Sequence, residues 1–150
     1  MNATDLITKI KDLLSQTNSI NTYCQTKYGK LPSIFIGIDI NNVPRIEKYP
    51  ALILYDLKIE RGLDKIVYVV SIGVGIENNE IQTTDNVYSY TGFIESKELK
   101  ELIEIELCAT LGKITFLAEY IPDALFPIIA DSITFSVEYI VSRRGMRQPI

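Results

Sequence analysis

The sequence predicts an α+β domain: a mostly antiparallel sheet of about five strands, two helices packed on one of its faces, and a long protruding loop or arm. Three observations carry this prediction. Ile66–Ile76 reads IVYVVSIGVGI, with Ile66, Tyr68, Val70, Ile72, Val74 and Ile76 on one side at a period of two. Residues 51–60 alternate in the same way and are joined to it by the short loop Arg61-Gly62-Leu63-Asp64, the pattern of an antiparallel hairpin. Two segments, residues 2–16 and 96–111, instead space their apolar residues at helical intervals.

The chain opens on the first of these helices. Asn2 is positioned to cap it, with Asp5 completing a capping box, and Leu6, Ile7, Ile10, Leu13 and Leu14 form its apolar stripe. The polar run Ser15–Asn21 ends it, and Tyr23–Pro32 reads as a connector punctuated by Gly29 and Pro32. Ile34, Ile36, Ile38 and Ile40 alternate with Phe35, Gly37 and Asp39 as a strand, and Asn41-Asn42 before Pro44 marks a turn. In the next strand Ala51, Ile53, Tyr55, Leu57 and Ile59 share one face, while Asp56, Lys58 and Glu60 take the other. Residues 66–76 follow, with a second face that shrinks to Gly73 and Gly75. Such a face either lets another backbone come close or lines an open surface.

Residues 77–95 begin with polar side chains that fill no core, and they read as an extended loop or protruding arm. Ser96 opens the second helix and Gly112 follows its end. Leu99, Leu102, Ile103 and Leu107 form its buried stripe, which Cys108 and Ala109 continue. Ile114–Ile121 is a strand closed by Pro122. In the last strand Ile133, Phe135, Val137, Tyr139 and Val141 oppose Thr134, Ser136, Glu138 and Ser142. The tail from Arg143 to Ile150 has no packing pattern and reads as flexible and basic.

The 150 residues are expected to form a single domain, with 47% hydrophobic and 23% charged residues, enough to bury a core. Net charge is −4, which argues against phosphate neutralisation as a principal activity and against sequence-specific nucleic-acid binding. The sequence has neither a leader pattern nor an apolar run long enough for a membrane span, so an intracellular protein without membrane partners is expected. Cys24 and Cys108 accordingly read as reduced thiols in or near the core.

Histidine is absent, which removes the usual general base and the commonest metal ligand. A metal-dependent hydrolase or nuclease needs converging carboxylates. Asp56, Lys58 and Glu60 supply the residue types but alternate along one strand face, as a solvated charge ladder does. Gly73-Val74-Gly75 leads to Glu77 rather than to a helix start, so it makes no phosphate loop. No catalytic, cofactor-binding or metal-binding residue is assigned.

Two surface features carry the contact residues. Along the arm these are Asn79, Thr83, Asp85, Tyr88, Tyr90 and Phe93. Two readings stay open for it, a mobile hairpin end or an arm ordered by a partner. In the tail they are Arg143, Arg144 and Arg147, in either a disordered terminus or a segment that pairs with carboxylates on a neighbouring subunit or partner.

The whole pattern resembles the tail terminator (tail completion) proteins of long-tailed bacteriophages and prophage-derived particles. The resemblance lies in the opening helix, the strand pair around YPALILYDL, the long apolar strand running into a polar arm, the second helix, and FPIIADSITFSVEYIVSRR at the end. It implies a non-enzymatic, structural virion protein that forms a ring, usually a hexamer, on the last ring of tail tube protein. That ring stops tube growth and presents the surface that joins the head–tail connector, with DNA passing through its lumen. It further implies assembly in the bacterial host cytoplasm and residence in the virion tail. Another neck or head–tail connector protein is the first alternative, and a metal-dependent hydrolase or nuclease the second. The resemblance carries no individual binding residue over to this chain.

Overall fold

A computed structural model describes residues 1–38, 45–117 and 128–141. Its elements run α1 (Ala3–Gln16), α2 (Asn18–Tyr28), β1 (Ser33–Ile36), a 3₁₀ turn (Ile46–Lys48), β2 (Ala51–Arg61), β3 (Lys65–Glu77), β4 (Ile81–Thr84), β5 (Val87–Tyr90), α3 (Thr91–Leu111), β6 (Ile114–Phe116) and β7 (Ile128–Ile140). The fold is α+β, with a five-stranded sheet in the order β1-β2-β3-β7-β6 and a separate two-stranded hairpin, β4-β5. Among the described residues only the β1–β2 pairing is parallel.

The expected centre is the observed one. β3 lies in the middle of the sheet, and Tyr68, Val70, Ile72, Val74 and Ile76 are buried beneath the helices. Its neighbour β7 matches it residue for residue: Val70 faces Phe135, Ile72 faces Ile133, and Tyr68 faces Val137. Leu6, Ile10 and Leu14 of α1 and Leu99, Ile103 and Leu107 of α3 close the core from above. Each such fully buried side chain contributes about 1.5–3 kcal/mol relative to exposure. The capping box of α1 is present, with the Asp5 N–H donating to Asn2 Oδ1 at 2.8 Å.

The structure corrects several expectations. The described residues form three helices, not two: residues 18–28, expected as the end of a polar run and a connector, form α2. Ile20 and Cys24 are buried four positions apart, Tyr23 and Tyr28 pack beside them, and Gly29 ends the helix at φ 70°. Asn, Ser and Thr read locally as turn formers, and packing against α3 overrides that preference.

The segment 77–95 is not a loop. β3 ends at Glu77, residues 81–90 form the β4-β5 hairpin, and α3 has already begun at Thr91. Ser96 is therefore not a cap. It is buried inside α3, and its Oγ donates to the carbonyl of Phe93 at 2.8 Å. At the other end of α3, Cys108 and Ala109 are exposed rather than continuing the stripe.

β2 does not keep one face throughout. A bulge between Leu54 and Asp56 inserts Tyr55, so Leu52 and Leu54 face the core before it and Leu57 after it. Ile53 and Tyr55 lie on the opposite face, where the Tyr55 ring approaches Gly73. Gly75 is covered similarly: a Cβ there would meet Tyr49 Cε1 at 2.7 Å. The small face of β3 thus receives two aromatic rings rather than a backbone.

β7 begins at Ile128, five residues earlier than its clean alternation suggests. That extension places Asp131 on the core side opposite Val74, where Lys97 and Lys100 of α3 meet it at 2.7 and 3.5 Å. The expected turn at 41–44, residues 118–121 of the expected strand, and the tail with Arg143, Arg144 and Arg147 lie outside the described residues.

Candidate functional site: a hairpin clamped to a helix

Among the described residues the β4-β5 hairpin is paired only with itself. Ile81 pairs with Tyr90 and Thr83 with Tyr88, so these four side chains share one face; Gln82, Thr84, Val87 and Ser89 share the other. Asp85 turns the chain at φ 55°, a left-handed conformation that Asp tolerates better than most residues. Ile81 and Tyr88 on the first face are 42% and 67% exposed, Val87 on the second is 60% exposed, and Phe93 and Ile94 are exposed in the first turn of α3.

The base of this hairpin is fixed by a buried carboxylate. Glu95 is 7% exposed, and its Oε1 accepts from Asn78 Nδ2 at 2.7 Å and from the Tyr28 hydroxyl at 3.3 Å. Asn78 Oδ1 in turn accepts from the N–H of Glu80 at 2.8 Å, and Thr91 N–H donates to the Glu80 carbonyl at 3.2 Å. The Tyr23 hydroxyl lies within hydrogen-bond distance of the Glu95 carbonyl and of Glu98 Oε2. Burial, then the nearby charge of Glu95, holds the Tyr28 phenol above its ordinary range; burial, then Glu98, does the same for Tyr23. Gly92 completes the clamp, because a Cβ there would collide with Ile129 Cδ1 and stand 3.0 Å from Asn78 Cβ.

Of the predicted contact residues, Thr83, Tyr88 and Tyr90 come together on one hairpin face. Asn79 sits in the link between β3 and β4, Asp85 at the tip, and Phe93 on α3, where Lys97 Nζ lies 5.3 Å from its ring centroid. Sequence reasoning missed Ile81 and Val87, and it missed the clamp residues Asn78, Glu95 and Tyr28. The alternation of Ile81, Thr83, Tyr88 and Tyr90 around Asp85-Asn86 was the available signal.

The carboxylates weighed for metal chemistry do not converge. Asp56 and Lys58 are 3.8 Å apart on the open strand face with half or more of the lysine exposed, and Glu60 is exposed. Among the described residues no three Cys, Asp or Glu side chains gather as a metal site would require. No helix among them is long and apolar enough to cross a membrane. Set against known proteins, no family model and no curated sequence matches this chain.

Proposed function

We propose that this protein is a structural component of a bacteriophage or prophage-derived tail: a tail terminator that assembles as a ring, hexameric in this reading, on the end of the tail tube. The ring ends tube growth and forms the surface that joins the head–tail connector. The observation that carries the reading is the hairpin. Its base is clamped at Asn78 and Glu95, yet Ile81, Tyr88 and Tyr90, which share one face, remain exposed. Contiguous apolar exposure on a fixed element is characteristic of a surface awaiting a protein partner. The net charge of −4 suits a ring through which DNA passes, since a basic lumen would retain the phosphates.

Electron microscopy of tails assembled without the protein tests this. Overlong tubes are expected; tubes of normal length overturn the reading. Binding of the purified protein to tube ends rather than to head connectors separates a terminator from another neck protein.

A further inference from the structure

The acidic and the basic stretch of the sequence leave the β3-β7 ladder at opposite ends. From Ile66 to Ser96 the chain carries four acidic residues and no lysine or arginine. Three of them, Glu77, Glu80 and Asp85, are exposed on and beside the hairpin, and among the described residues no cation lies within ion-pair distance of any of them. The opposite composition follows β7. After Val141 the sequence continues with Arg143, Arg144 and Arg147 and no acidic residue to Ile150.

Register fixes where each segment departs. Glu77 pairs with Ile128 at one end of the β3-β7 ladder, and Lys65 pairs with Ile140 at the other, where the Val141 N–H donates to the Asp64 carbonyl at 2.7 Å. The intervening thirteen-residue strand spans about 40 Å at roughly 3.3 Å per residue. Even fully extended, the chain from Val141 reaches only about 20 Å by Arg147. A chain of that length therefore falls short of Glu77 in its own molecule.

We propose that the arginine segment after Val141 docks on the β4-β5 hairpin of a second copy of this chain. Guanidinium groups pair with Glu77, Glu80 and Asp85 and stack on the exposed Tyr88 ring, for which their planar fork and weak hydration suit them. Because donor and acceptor surfaces lie at opposite ends, the contact is head-to-tail. Repetition gives a closed ring or an open filament, according to the rotation per step. The proposal rests on the self-assembly in the ring reading and names the contact that reading leaves open.

A charge exchange tests it. One variant carries Arg143→Glu, Arg144→Glu and Arg147→Glu; the other carries Glu77→Lys, Glu80→Lys and Asp85→Lys. Sedimentation across a concentration series is expected to show wild-type oligomers that weaken from about 0.05 to about 0.5 M salt. Each variant alone should dissociate more than about 100-fold more readily, because like charges then face one another. An equimolar mixture should reassociate, since each variant's tail now matches the other's hairpin. A synthetic peptide of residues 142–150 should dissociate the wild-type oligomer without any substitution. Wild-type protein that stays monomeric, oligomers indifferent to both reversals, or a mixture that fails to reassociate overturns the contact. Tube-length control by the same variants is read separately: oligomers that ignore the reversals while tubes still terminate sink this contact and leave the ring reading standing.

Discussion

Asn78 Nδ2 donates to the buried carboxylate of Glu95 at 2.7 Å, and this bond joins the end of the central strand to the first turns of α3. Replacing Asn78 with Ala leaves Glu95 with the Tyr28 hydroxyl and removes the acceptor for the Glu80 N–H. A loss of about 1–3 kcal/mol is expected in urea unfolding. Hydrogen exchange should accelerate across Ile81–Tyr90 more than across β3. Asn78→Asp should be worse than Ala, because a second carboxylate would then face Glu95. Unchanged exchange in the hairpin would show that Asn78 does not hold it.

Gly92 makes a sharper steric test. Gly92→Ala brings a methyl group onto Ile129 Cδ1, at a cost of about 1–3 kcal/mol. Ile129→Val removes that Cδ1, so the double variant should recover part of the loss in thermal melts. Equal stability of the single and double variants would place the strain elsewhere, against Asn78 Cβ.

Asp131 is 4% exposed and meets Lys97 and Lys100. Lys97→Met or Lys100→Met alone leaves one cation in place and should be mild. Together they strip a buried carboxylate of both partners, with an expected loss of about 3–5 kcal/mol, more than the two single effects added. Asp131→Asn in the double background should recover much of that loss by removing the charge while keeping an oxygen for the Ser132 N–H. Chemical denaturation of the four variants measures the coupling.

The two thiols differ. Burial pushes the Cys24 thiol up to about 12, whereas Cys108 is exposed. One thiol should react quickly with a maleimide in native buffer and the second only on unfolding. For stability, the raised value means that the folded chain keeps a proton the unfolded chain gives up. The contribution is complete below the ordinary thiol value of about 9 and is lost as pH rises from there through about 12. Tyr23, Tyr28 and Tyr139, also held high by burial, add to the alkaline loss. Cys24→Ala should flatten the fall in melting temperature between about pH 9 and the onset of tyrosine ionisation near 10.

The strands were legible where one face meets the core and the other does not, since a period of two then appears in the letters. Ile66–Ile76 and Ile133–Tyr139 are such cases. The exposed hairpin was obscured because it buries neither face, so its alternation of Ile81, Thr83, Tyr88 and Tyr90 was diluted by polar neighbours. Glu95 and Asp131 look like ordinary surface acids in sequence; what makes them central is a partner from another element, Asn78 for one and the α3 lysines for the other.

By itself the sequence determined the α+β class, the central β3 strand, the α1 cap at Asn2 and the acidic balance, because each follows from local spacing or composition. Tertiary structure alone decided that residues 18–28 are helical, that Tyr55 is bulged out of β2, that α3 starts at Thr91 rather than Ser96, and that Asn78 and Glu95 meet. In each of these the local preference is weak or points the other way. Burial against a distant element supplies the free energy that settles it.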